Sequence, residues 1–224
     1  MDQIKFEIKE FLEANYNEAH ASKMKAYLKY NFDLYGVRAP QRKVFFKSLW
    51  SNHKNEIKII WSELTQWLWS QDMRDYHYIA MDIIGKIEKS LILKDLDIIE
   101  SFIINHSWWD SVDFLASHGI GQVLKGDTEL QMKVADRYMK GDNMWLQRTA
   151  IIFQLFYKEE TNQDLLFAMI DETIGSTEFF INKATGWALR QYAKTNPDAV
   201  RQYVDFKRPK LSGLTLREAT KYLK

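Results

Sequence analysis

Five segments of this 224-residue chain resemble one another at a spacing of about 35 residues. They are RDYHYIAMDII from Arg74, WWDSVDFLASHGI from Trp108, WLQRTAIIFQL from Trp145, FINKATGWALRQY from Phe180 and TLREATKYLK from Thr215. Small or apolar residues fall near register at Ala80, Leu115, Ala150, Thr185 and Thr220. Each segment reads as an amphipathic helix with polar or basic residues on its first turn. Less regular helical stretches lie between them, at Lys94 to Ile104, Glu129 to Tyr138 and Gln163 to Ile174. A two-helix unit of this size cannot bury its apolar face alone. Stacking such units buries one continuous seam and leaves one helix of each pair lining a concave face.

The fold expected is therefore all-α: a HEAT-like helical-repeat solenoid with a concave basic face, in a right-handed stack of about six helical pairs. Only three prolines and nine glycines interrupt the chain, which favours long helices over tight turns. Helix starts are expected at Ser107, at Asp142-Asn143, at Ser176-Thr177-Glu178 and at Asn196-Pro197, where a side-chain oxygen or a first-turn proline suits the open N–H groups. No stretch is long or polar enough to act as a linker, so residues 1–224 are expected to form one domain.

Net charge is only +1, yet the charges are uneven. Residues 23–47 hold seven Lys or Arg against one acid, and residues 180–224 hold ten against three. Two basic ends can form two ends of one polyanion-binding surface, or they can be ordinary solvated helix faces. With no cysteine, disulfides, thiolate metal sites and a cysteine nucleophile are excluded. The N-terminus lacks the apolar core of a signal peptide, and no apolar run reaches the ~18–20 residues that span a bilayer. A cytoplasmic location is expected. His20, His53, His77, His106 and His118 form no metal-ligand spacing, and no P-loop, GxGxxG, GxSxG or HExxH motif is present.

The segment Ser107-Trp108-Trp109-Asp110-Ser111-Val112-Asp113 stands out as a candidate for chemistry. Trp109 and Asp113 are four apart and share a helix face, while Trp108 and Val112 share one suited to the core. Arg148 follows Asp113 by about one repeat and Trp187 by about two, so one carboxylate, one guanidinium and two indoles are expected to converge. The alternative is structural: tryptophans in the core, and Asp113 braced by a neighbouring arginine.

SWWDSVD (107–113), NMWLQRTAIIFQL (143–155), EFFINKATGWALRQYAKTNPD (178–198) and MKAYLKYNFDLYGVRAPQR (24–42) closely resemble the AlkD family of bacterial alkylpurine DNA glycosylases. The resemblance runs over nearly the whole chain. It implies a HEAT-like solenoid that cradles duplex DNA and excises N3- and N7-alkylated, cationic purines, without a metal or other cofactor and without flipping the base. It implies that Asp113 is the catalytic carboxylate, that Trp109 and Trp187 flank it, and that Arg148 holds the site against the DNA backbone. Tyr27 then belongs to an N-terminal DNA-contacting element, and Lys29, Arg38, Arg42, Lys183 and Arg190 are the expected DNA-binding cations. The expected partner is duplex DNA containing alkylated purines, and the protein is expected to be a monomer. The other function considered is a catalytically inactive paralogue that binds DNA structures or a protein.

Overall fold

The structure, a computed structural model, describes residues 1–223. It is all-helical, with no strand among the described residues, as the periodicity requires. The chain divides into two compact units, Met1–Ser90 and Leu91–Lys224. The division falls just after the short polar run Glu88-Lys89-Ser90, with no proline there, and Leu91 itself is buried.

In the first unit, α1 (Asp2–Ala14) and α2 (Glu18–Tyr27) precede α3 (Ala39–Trp69) and α4 (Arg74–Ile87). α1 buries Ile4, Ile8 and Leu12, one residue per turn, so its apolar stripe is narrow. Pro40 lies in the first turn of α3, where no N–H is needed. The segment before α3 is tied to α4 by Asp75, whose carboxylate accepts the Tyr35 N–H at 2.8 Å and the Val37 N–H at 3.1 Å. Beside it Arg74 is fully buried, its guanidinium over the Phe32 ring and against His77 Nδ1 at 3.1 Å. His77 Nε2 lies 3.0 Å from the Gln71 carbonyl, so Nε2 carries the proton and Nδ1 accepts from Arg74.

The second unit holds α5 (Leu96–Ile104) and α6 (Trp109–Phe114). α6 runs on through a π-helical stretch, Leu115–Ile120, into α7 (Gly121–Leu124). Then come α8 (Thr128–Lys140), α9 (Met144–Ile152), α10 (Gln163–Glu172), α11 (Phe179–Tyr192), α12 (Pro197–Lys207) and α13 (Gly213–Ala219). α6, α9, α11 and α13 pack side by side in that order. α8 packs on α9 and α10, and α12 on α11. Each repeat segment thus has a helix over most of its described residues, Lys224 at the end of the fifth lying outside them, and at the register positions Ala80, Leu115, Ala150 and Thr185 are buried, with Thr220 half-buried.

Two of the four expected helix starts carry side-chain caps, while at Ser176-Thr177-Glu178 the helix opens on Glu178 with no side-chain cap. Asn143 accepts from the Trp145 and Leu146 N–H groups, and Asn196 from Ala199 ahead of Pro197. Ser107 differs: its hydroxyl donates to the Ile103 carbonyl at 2.6 Å and so closes α5, leaving Trp108 at the start of α6. A serine between two helices finds whichever open backbone group is nearer, and here that is a carbonyl.

Gly121 permits the close approach of α7 to the end of α9. A Cβ there would sit 2.4 Å from the Phe153 carbonyl oxygen, and the Tyr157 hydroxyl donates to the Gly121 carbonyl. Gly121→Ala is expected to lower unfolding free energy by about 1–3 kcal/mol. Urea unfolding followed by circular dichroism checks this; an unchanged midpoint would show that the backbone contact is easily relieved.

Candidate active site

α6, α9 and α11 lie in one row and turn their polar residues to one side. On α6, Trp109 and Asp113 share a face. On α9, Arg148 follows Asp113 by 35 residues. On α11, Phe180, Lys183, Trp187 and Arg190 recur at helical spacing along one stripe. Together with Phe179 they line a cleft of about 340 Å³. All lie within the second unit.

Asp113 and Arg148 form the floor. Arg148 Nε donates to Asp113 Oδ1 at 2.7 Å and Nη2 to Oδ2 at 2.9 Å, a two-point clamp. Arg148 Nη1 donates to the Phe180 carbonyl. The Arg148 side chain is 3% exposed and that of Asp113 is 17% exposed. Burial pushes the Asp113 carboxyl above the ordinary aspartate range. The Arg148 hydrogen bonds and charge pull it back without cancelling the rise, and the Asp110 charge adds to it.

The walls are aromatic and cationic. Trp109 and Trp187 are half-buried, and Phe179 is 59% exposed at the rim. Trp108 packs edge-on to Phe180, with ring centroids 5.2 Å apart, and tilts against Trp145 at 5.8 Å. These rings hold the turn that supplies the Phe180 carbonyl to Arg148. Lys183 and Arg190 both donate to Glu218 on α13, Lys183 at 2.6 Å. The Lys183 hydrogen bond, helped by the charges of Lys183 and Arg190, holds the Glu218 carboxyl below the usual glutamate range.

The structure therefore gathers Trp109, Asp113, Arg148, Trp187, Lys183 and Arg190 in one cleft. Arg148 spends three N–H groups on protein acceptors, which makes it the clamp of Asp113 as the structure stands. The other expected cations belong to the first unit. Tyr27 is 67% exposed at the end of α2, Lys29 is exposed with φ 57°, and Arg38 is exposed at the start of α3. Arg42 is largely covered, its Nε on Asp82 at 2.7 Å and its guanidinium over the Tyr78 ring. Phe179, Phe180 and Glu218 were not singled out from sequence. Continuing the 35-residue step from Asp113 through Arg148 reaches Lys183 and then Glu218, so the signal for Glu218 was present.

Removing Arg148 leaves a buried carboxylate without its partner. Arg148→Ala is expected to destabilise the fold by about 3 kcal/mol, whereas Lys183→Ala, whose side chain is 39% exposed, costs about 1 kcal/mol or less. Equilibrium urea unfolding of both variants checks the ranking, and equal effects would contradict it.

Among the described residues no group of three or more His, Asp or Glu side chains is placed to hold a metal ion, and no helix is long and apolar enough to cross a membrane. No curated protein matches the chain. The chain is similar to a solved structure described as a predicted DNA alkylation repair enzyme from Enterococcus faecalis. Identity is 33% and TM-score 0.83, covering 92% of this chain and 96% of that one. The profile of the DNA alkylation repair enzyme family matches residues 8–223. On that match, which runs through every helix of the cleft, the chain belongs to the DNA alkylation repair enzyme family.

Proposed function

We propose that this chain is a monofunctional DNA glycosylase of the AlkD type. It hydrolyses the N-glycosidic bond of N3- or N7-alkylated purines in duplex DNA, without extruding the base, as the first step of base excision repair. The observation that carries the reading is a single carboxylate, Asp113, clamped by Arg148 at the floor of a cleft walled by indoles.

An alkyl group at N3 or N7 gives the purine a positive charge and makes it a good leaving group. No general acid is then required, unlike ordinary glycoside hydrolysis, which employs a second carboxyl group. The C1′–N9 bond breaks with its electron pair on the base, neutralising the ring, while positive charge develops on the sugar. Ionised Asp113 stabilises that charge and accepts a proton from the water that adds to C1′. Its raised pKa makes it a better proton acceptor than an ordinary aspartate. The faces of Trp109 and Trp187 stabilise the cationic nucleotide by roughly 0.5–2 kcal/mol each. Lys183 and Arg190 serve phosphates rather than bases, and the same role falls in the first unit to exposed Lys29 and Arg38 and to Tyr27.

The non-catalytic reading, a helical-repeat module that binds DNA without turnover, draws on the same clamp, since a buried Asp–Arg pair also suits a brace. Single-turnover excision of N7-methylguanine from a duplex separates the two. Asp113→Asn is expected to lose about 10²- to 10³-fold in rate, while Asp110→Asn stays near wild type. Because the variant also breaks the Arg148 clamp, its folded fraction is measured first. A wild-type protein that never exceeds spontaneous depurination supports the non-catalytic reading.

The pH dependence has a fixed sign. The ionised carboxylate is the active form, so the rate falls as pH drops through the Asp113 pKa. That pKa is raised by burial, so the acid limb lies above the ordinary aspartate value of about 3.9. A pH–rate profile whose acid limb lies at or below that value would contradict the role.

A further inference from the structure

Asp113, Arg148, Lys183 and Glu218 occupy one position of the repeat in four consecutive segments. The first two pair across their repeats, and so do the last two. The charges run minus, plus, plus, minus. Lys183 lines the cleft, as does Arg190, whereas Glu218 touches both cations without lining the cleft itself.

The backbone holds Glu218 in place. α11 and α13 approach so closely at Gly186 that a Cβ there would lie 2.5 Å from Glu218 Cβ and 2.9 Å from the Thr215 carbonyl oxygen. Thr215, fully buried, donates its hydroxyl to the Asn182 carbonyl at 3.1 Å. The Glu218 side chain is 15% exposed, and each of its oxygens takes one cation.

From this we infer that Glu218 is a positioning residue of the cleft: it holds Lys183 and Arg190 on the wall and lowers the positive charge the cleft turns towards its substrate. This rests on the glycosylase reading, in which the substrate carries opposite charges on its two parts. The phosphates require cations nearby. The alkylated base and the developing sugar cation require that those cations stay away from Asp113. Two long side chains tethered at their tips to one fixed carboxylate satisfy both needs, whereas untethered lysine and arginine would sample the cleft floor and oppose a cationic base.

The test is Glu218→Gln, which keeps the shape and removes the charge. Two readouts are taken: affinity for an undamaged duplex over a range of salt, and single-turnover excision of N7-methylguanine. The expected result is a split. Undamaged-duplex affinity rises about threefold and the slope of log affinity against log salt steepens by about 0.9, as one net positive charge is released. Excision falls roughly tenfold, as misplaced groups allow. Glu218→Asp retains the charge and is expected to restore the wild-type salt slope. Affinity and excision falling together, neither changing, or Glu218→Asp matching Glu218→Gln in slope would each overturn the assignment.

Carboxyl NMR of the unmutated protein decides the same point if the variants fail to fold. Glu218 is expected to titrate below the usual glutamate range, and to stay there when undamaged duplex is added. A rise towards the ordinary value on adding DNA means the cations leave Glu218 for phosphate, and overturns the inference. A wild type that excises nothing removes the glycosylase reading, while the binding and NMR arms still judge Glu218 by themselves.

Discussion

The two-point clamp between Asp113 and Arg148 is the interaction on which the cleft depends. It joins α6 to α9, and through the Phe180 carbonyl it joins both to α11. Such a pair is a poor source of stability, because removing two charges from water costs about what their attraction returns. The raised pKa of Asp113 makes this concrete: burial outweighs the arginine, so the ionised form is disfavoured in the fold relative to the unfolded chain. Above the unfolded pKa this group subtracts from stability, and the penalty is relieved as pH falls. A fold selected only for stability would place apolar residues there. What the pair supplies is position, a carboxylate with its rotamer fixed from two sides.

The repeat is the device that makes such a position cheap to build. Once α6, α9, α11 and α13 pack in a row, residues one repeat apart face one another across each helix contact. Changing the charge at one register position therefore creates a pair without new backbone. The buried register residues Leu115, Ala150 and Thr185 keep the helices close enough for this, and the close approach at Gly186 does the same for α11 and α13.

This also explains what the sequence could reveal. The 35-residue recurrence and its small buried positions are properties of local period, so the helical row and the Asp113–Arg148 pairing were legible. Asn143 and Asn196 were legible as caps because their side chains have one nearby use. Ser107 was not, because its hydroxyl had two, and only packing decides between them. Charge counting read least well. Of the basic residues in 180–224, Lys183 and Arg190 share Glu218, Arg201 and Arg208 pair within α12 or its end, and Lys207 reaches Asp171. A tally of lysines and arginines cannot see which of them a carboxylate has already claimed, and in the first unit Arg42 on Asp82 repeats the lesson.

On the glycosylase reading proposed above, the cleft would meet a cationic base on an anionic strand, and so face contradictory electrostatic demands. Uniform positive charge would bind the strand and oppose the reaction. Uniform negative charge would favour the reaction and repel the strand. The arrangement here meets such demands by pairing. The floor carries a neutral pair whose negative end borders the cleft, while the wall carries two cations drawn back onto a third group. Indole and phenyl faces line the same cleft and can attract a cation without carrying a net charge that would repel phosphate. Because aromatic attraction is weak per ring, on that reading it would favour the alkylated base over an ordinary one without holding undamaged DNA. On the same reading, discrimination would fall to the step proposed at Asp113, where only a base that leaves readily gives a developing charge for the carboxylate to meet.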